Sequence, residues 1–538
     1  MELFLFPCIA IEVGETDVTK YLLKRLLHGA VSIVVVVAVV MTLIYSLSNR
    51  DLVFAGDALF TKQTNNNRVT YSYMRWEEYG YLDYVPYADW LLELQHNGEI
   101  DEETRVEAVA IGRTADNDSE TAKEYAEKFR EHYESQGYTV ERLDAVLNGR
   151  RVANGGQQAL FAHKDKPLIG RLFSYFANII DVDSVHDVQE DIPDRGVTFT
   201  WHDPVYGGKF APAIMGNGTT HKYLLYFDDK FPFIHQNIAT IRLGTSYSVN
   251  YGIDVFKTMT RSQGSYVQTT TTFPTGLVEE SADDLHTATY IPGSRTSSVI
   301  YEDRFTDDYT NVEVVKNGMS KLGYSFVIGI IAVALSYCLG VPIGIMMARK
   351  KDKLIDKLGT IYIVFIIAVP SLAYIFLFKA LGGKIGLPTT FIMESSSKLM
   401  FILPIVSLAL PSIANLMKWL RRYMIDQMNS DYVKFARSGG LSEGEIFSKH
   451  ILKNAAIPIV HGIPGQLLFA MTGAIITERV YVVPGAGNLL TEAIGKHDNG
   501  VIVGVALFYA ILSVVSIILG DILMATVDPR ISFSTKDR

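Results

Sequence analysis

Cysteine is nearly absent. There are two in 538 residues, Cys8 in the N-terminal tail and Cys338 inside an apolar run. Two such separate positions exclude a disulfide framework and a thiolate metal site, so any part outside a membrane must be held by its own core. Histidine does not fill the gap. None of the twelve pairs at H-x-x-x-H spacing or groups with cysteine, and neither a metal nor a cofactor is expected. The phosphate loop G-x-x-x-x-G-K-[ST] is missing as well, so the chain is not expected to be an ATP-hydrolysing enzyme. An excess of positive charge is also lacking. The formal charge of -9 argues against a nucleic-acid partner.

What is present is a sharp segregation of apolar residues. The tail, 1–19, opens MELFLFPCIAIEV but lacks the basic start and small-residue cleavage pattern of a signal peptide, and Pro7 interrupts it. Residues 20–47 then supply about twenty near-continuous apolar positions, enough for one bilayer crossing. Lys20, Lys24 and Arg25 precede them, which places the start of this span in the cytoplasm. Residues 48–318 contain no run that could span. They read as an α+β domain, with an amphipathic helix over Ser119 to Gly137 and strand-like pieces GVTFTWH, HKYLLYF and SYVQTTTTF. Because the first span starts inside, this domain is expected outside.

A second apolar block, 319–527, divides into five spans: Leu322 to Ala348, Leu358 to Leu381, Leu399 to Leu420, Ile457 to Ile476 and Val501 to Val527. Arg349 to Lys353, and Arg421 with Arg422, mark inner ends, whereas the short outer loops carry few basic residues. The charge rule therefore predicts six helices with both termini cytoplasmic, the second terminus being 528–538. Prolines punctuate the spans: Pro342, Pro370, Pro404 and Pro411. They suit either kinks that shape a central path or ordinary bundle geometry. Asn415 and Glu478 are polar groups that could face such a path. Glu478 also fits an interfacial position beside Arg479.

Between the fourth and fifth of the six spans, within the inner loop 421–456 and its continuation, lies DYVKFARSGGLSEGEIFSKHILKNAAIP, Asp431 to Pro458. Tyr432, Phe435 and Ala436 recur at one-face helical spacing. Gly439 and Gly440 stop that helix through left-handed backbone angles. Ser442 and Glu445 form a capping box opening a second helix. This loop resembles the cytoplasmic signature loop of ABC importer permeases, in the form typical of the oligopeptide and dipeptide branch. Tyr432, Val433, Ala436, Arg437, Gly440, Leu441, Ser442, Asn454 and Pro458 stand at matching places, with Lys434, Phe435 and Lys453 as departures. TERVYVVPGAGNLLTEAI, Thr477 to Ile494, is similar to the family's last outer loop. Asp165 to Ile179 and Ile241 to Met259 resemble segments that follow its first helix. The combination is closest to the enlarged permeases of Gram-positive oligopeptide systems, the AmiC type.

The resemblance implies an α-helical integral membrane protein, a six-helix ABC importer permease bundle, with a large inserted extracellular α+β domain. It further implies a plasma-membrane location amid lipid, a second homologous permease subunit and two cytoplasmic ABC ATPases docking on the loop. An extracellular substrate-binding lipoprotein would deliver peptide cargo. Dipeptides, nickel or a glycan fragment are competing cargoes. A membrane sensor with an outer ligand-binding domain accounts for residues 48–318 but not for five further spans. A secondary transporter would need mid-membrane charges and an internal repeat, and neither is seen.

Overall fold

The computed structural model describes residues 15–47, 49–182, 196–205, 207–216, 223–228, 233–287, 303–305, 313–393 and 397–527. The start of the N-terminal tail with Cys8, and the C-terminal tail 528–538, lie outside them.

Five described helices are long and apolar enough to cross a bilayer, and a bent pair makes up to six. The first, α1 (Glu15–Leu47), begins earlier than the sequence suggested. The polar region after it holds both helices and strands. Its helix α2 (Glu120–Ser135) starts on Ser119, whose side chain accepts from the Ala122 N–H. Strands β1 (Leu82–Pro86), β2 (Thr139–Leu143) and β3 (Ala159–Asp165) form an antiparallel sheet in the order β1-β3-β2. Phe129 of α2, Trp90 and Leu160 are buried together against it. A second antiparallel sheet is a meander of β4 (Val197–Asp203), β5 (Lys209–Gly216), β6 (Tyr223–Phe227) and β7 (Ile234–Gln236).

This region is not one independent body beside the bundle. Helix α3 (Leu168–Ala177) and the stretch 241–259 are packed into the same core as α1 and the last helix: Leu243, Val255 and Met259 are buried with Val37, Met41, Val501 and Val505. These are the two segments that resembled family elements, and they act as part of the membrane unit.

The central pair of the bundle is α4 (Lys321–Arg349) and α7 (Ile402–Met428). Gly340 and Gly344, four apart, lie one turn above another, and a Cβ on them would sit 3.0 Å from Leu416 and 3.3 Å from Met417. Small residues at this spacing let membrane helices approach closely, where packing replaces the hydrophobic effect as the source of cohesion. The span expected over Leu358 to Leu381 is instead broken. It consists of α5 (Leu354–Ala368) and α6 (Ser371–Lys384), bent by 111°. Pro370 is the cause: it lacks an N–H and forces Val369 into extended backbone. Pro404 differs again. It lies in the first turn of α7, where no intrahelical N–H is needed, so it makes no mid-span kink. Pro342 and Pro411 are the prolines inside long helices. The Tyr362 hydroxyl donates to the Leu410 carbonyl just before Pro411, at 2.8 Å.

Candidate functional site

The inner loop opens with α8 (Asp431–Ser438). Its packed face is Val433 and Ala436, both buried, whereas Phe435 is 80% exposed and Tyr432 lies at the edge. The face expected from Tyr432, Phe435 and Ala436 is thus shifted by one residue, and Phe435 points outward. Helix α8 ends in a Schellman turn. Gly440 N–H donates to Arg437 O at 3.1 Å and Leu441 N–H to Ala436 O at 3.3 Å. Of the two, only Gly440 takes the left-handed angle, with φ +83, while Gly439 caps the helix at φ -75 and ψ 1, open to any residue. One glycine does the work expected of two.

Ser442 and Glu445 form the capping box, each side chain meeting the other's backbone N–H. The turn is bridged once more by Arg437, which grips Glu443 through Nε at 2.6 Å and Nη2 at 3.2 Å. The second helix is not a separate short piece. A π-helical stretch, Ile446–Leu452, continues through Lys453–His461 with Pro458 inside, and then into α9 (Ile463–Tyr481). The bracket is therefore continuous with a bilayer-length helix. A force on one is a force on the other.

Long-range contacts fix the bracket to the bundle. The Tyr432 hydroxyl donates to Gln427 Oε1 at 2.6 Å and accepts from Asn454 Nδ2 at 3.0 Å, joining the end of α7 to the second loop helix. Ile446, Ile451 and Ala455 are buried with Ala348 of α4 and Leu416, Leu420 and Met424 of α7. The Arg349 guanidinium lies over the Phe447 ring, 4.9 Å from its centroid. One link was not visible in the sequence: Arg421 holds Asp356 of α5 through Nε at 2.5 Å and Nη2 at 2.7 Å. A bidentate pair sets orientation as well as distance, so the first turn of α5 is tied to α7.

Of the residues considered for a path, Pro370 marks the break between α5 and α6, Pro404 is buried, and Pro411 lies mid-way along α7. Asn415 is exposed and, with Pro458, Gly462 and Gln466, lines a cavity of about 120 Å³ between α7 and α9. Glu478 is enclosed by its protein neighbours. It is fully buried. Ser325 Oγ donates to its Oε1 at 2.6 Å and the Asn488 N–H to its Oε2 at 2.9 Å, while the Ala486 N–H donates to Ser325 at 2.8 Å. The carboxylate thus sits at the N-terminus of α10 (Ala486–Gly495), where exposed N–H groups favour negative charge. Gly485 is glycine because a Cβ there would lie 2.4 Å from the Glu478 carboxyl carbon.

Sequence reading missed a second buried carboxylate, Asp498. Its Oδ2 accepts from Ser246 Oγ at 2.7 Å and from the N–H groups of Tyr247, Ser248 and Val249 at 2.9 to 3.0 Å. Asn499 Nδ2 adds a bond to the Tyr81 hydroxyl at 2.8 Å. These contacts clamp the start of α11 (Asn499–Val527) to the polar region. Close approach at Gly500, where a Cβ would be 2.0 Å from the Thr245 carbonyl oxygen, completes the seam. The only hint was an acidic residue just before an apolar run, which is too common to use.

Comparison with known proteins agrees with this geometry. Residues 340–533 match the family described as binding-protein-dependent transport system inner membrane component. The oligopeptide transport system permease protein AmiC of Streptococcus pneumoniae is 34% identical over 96% of this chain and 99% of its own length. The dipeptide transport system permease protein DppB of Lactococcus lactis is 32% identical, but over 41% of this chain and 73% of its own. The shorter relative shares part of the chain, whereas AmiC matches nearly all of it, including the polar region. A bundle of bilayer-length apolar helices and an end-to-end relative converge: the chain belongs to the AmiC-type permeases of ABC transport systems, as a membrane transport subunit and not an enzyme.

Proposed function

We propose that this chain forms half of a translocation path for oligopeptides, beside a second homologous permease, and is driven by two cytoplasmic ATPases. The observation that carries the reading is the bracket 431–458. It is rigid, continuous with α9, packed on α4 and α7, and it presents Phe435 to solvent at 80% exposure. A large apolar ring exposed at the tip of a stiff element is the form of an anchor that fills a pocket in a partner. Tyr432, Ala436, Arg437, Gly439, Gly440, Leu441, Ser442, Glu445, Asn454 and Pro458 shape or hold that anchor. The path itself runs along α7, where Pro411 and Asn415 stand, with Pro370 breaking the neighbouring span.

Both termini are cytoplasmic and the polar region is extracellular in this reading. The basic inner loops at Arg349 to Lys353 and at Arg421 with Arg422 support that orientation. An extracellular substrate-binding lipoprotein then docks from the outer side. Oligopeptide cargo rests on the end-to-end likeness to AmiC.

The test is a pull-down from native membranes in mild detergent, with Phe435→Asp beside the unaltered chain. The unaltered chain is expected to bring two ATPases and a second permease. Phe435→Asp is expected to lose the ATPases while still inserting. ATPases retained by the variant, with normal peptide uptake, would remove the bracket from the coupling.

A further inference from the structure

One face of α7 departs from membrane-helix chemistry. Asn415, Lys418, Trp419 and Arg422 recur at i, i+3, i+4 and i+7, so they form one stripe from mid-span to the inner end. Asn415, Lys418 and Arg422 are all exposed. Trp419 lies between the two cations, with Lys418 Nζ 5.6 Å and the Arg422 guanidinium 5.5 Å from its ring. Arg422 also has Asp426 at 4.0 Å, a loose pair on a mostly exposed surface.

Across the cavity from Asn415 stands Gln466 of α9. Its side-chain oxygen is shielded from solvent and has no hydrogen-bond partner among the described residues. An amide oxygen left unpaired at membrane depth costs free energy unless something donates to it. Lipid tails carry no donor, so a lipid-facing role is excluded. Polar groups at such depth face water, protein or cargo.

On the reading that this chain is a peptide permease, we propose that Asn415 and Gln466 form a cargo-contacting station in the inner half of the path. When the path opens and uncovers the shielded Gln466 oxygen, the two amides pair with peptide backbone groups. The stripe below them, Lys418 and Arg422 about Trp419, attracts the free C-terminal carboxylate toward the exit. Amides offer one donor and one acceptor pattern that every peptide bond can meet, and they carry no net charge to favour a particular side chain. The station therefore selects for the peptide backbone and a free carboxylate and tolerates any sequence. Gln466 and Asn415 confer specificity for the class of cargo, while choice among peptides is made elsewhere.

The experiment uses the complete complex, with second permease, ATPases and receptor, in proteoliposomes. Uptake of a labelled oligopeptide is compared with that of its backbone N-methylated analogue, in the unaltered complex and in Gln466→Leu. The receptor is the same in both, so any change in the ratio belongs to the permease. Gln466→Leu is expected to cut uptake of the normal peptide about tenfold, the worth of roughly one buried hydrogen bond, and to erase part of the discrimination against the analogue. A photoreactive benzoylphenylalanine at position 415 is expected to cross-link the peptide, and one at the exposed Ile330 of α4 is not. An unchanged ratio in Gln466→Leu, with position 415 cross-linking the second permease instead of peptide, overturns the proposal and makes the stripe a subunit interface. If the unaltered complex imports nickel or a glycan and no peptide, the functional reading fails and takes the station with it.

Discussion

The bracket 431–458, at one end of the bundle, is shaped by neighbours in sequence. The Schellman turn closes over five residues, and the capping box and the Arg437–Glu443 grip span three and six. Around Glu478 and Asp498, beside the polar region, the supports come from far along the chain. Ser246 meets Asp498 across 252 positions, and Ser325 meets Glu478 across 153. The bracket's bonds are exposed and individually weak, whereas the two carboxylates are buried and surrounded by donors. An exposed, locally stiffened element can be gripped by a partner without costing the fold. A buried clamp holds the polar region and the bundle as one piece. The comparison makes definite claims about which substitutions unfold the protein and which only disable it.

The largest effect is expected from Asp498→Ala. It strands one hydroxyl and three backbone N–H groups in a buried seam, a loss on the order of 3–5 kcal/mol. Proteolysis of the chain in detergent should then open the stretch 241–259. A seam as resistant as the unaltered one would mean the clamp is redundant.

Next comes Gly485→Ala, whose new Cβ meets the Glu478 carboxyl group. The clash should cost about 1–3 kcal/mol in thermal unfolding. Gly495→Ala is its control, since nothing lies within 4 Å of a Cβ there.

The polar region carries a pH-dependent element of its own. His286 is buried between Asp203, 2.6 Å from Nε2, and Asp284, 2.5 Å from Nδ1. Burial disfavours its charge, but the two carboxylates outweigh that and raise it from 6.5 to about 9. A raised pKa gives stability that is fully present below about pH 6.5 and lost as pH rises through about 9. Amide exchange around 203 and 286 should therefore speed up over that window in the full chain, and His286→Gln should flatten the trend.

In the bracket, Gly440→Leu should lower stability by only about 1–2 kcal/mol, the cost of a left-handed non-glycine residue. Nothing lies within 4 Å of a Cβ at this position, so the chain tolerates the side chain. Uptake should nevertheless fall while ATP hydrolysis continues. Normal uptake would show that the partner does not read this turn. Smallest of all, Arg437→Ala should leave thermal unfolding essentially unchanged, because both partners of the pair are exposed.

Much of the bracket was legible because its rules are short-ranged. Glycine at φ +83, a serine three before a glutamate, and apolar residues at helical spacing each declare themselves within a few positions. The misreadings there were of one residue: Gly439 proved ordinary and Phe435 turned outward while Val433 turned in. Periodicity alone leaves that choice open, since a short helix with apolar residues on several sides can bury either. The packing of Val433 against α4 and α7 decides it.

Prolines teach the same lesson within one block of sequence. Pro370 breaks a span by 111°, Pro404 opens a helix, and Pro342 and Pro411 sit inside helices that continue. The residue has one chemistry, a missing N–H and a fixed φ, and its outcome depends on what surrounds it. The presence of several bilayer-length apolar helices, the helix caps and the kinship with peptide permeases follow from residue order, because hydrocarbon thickness, backbone angles and local hydrogen bonds act over a few residues to a few turns. The break at Pro370, the Asp498 and Glu478 clamps and the polar stripe opposite Gln466 had to await the fold. A buried carboxylate or amide is defined by the donors brought to it, and those lie up to hundreds of residues away.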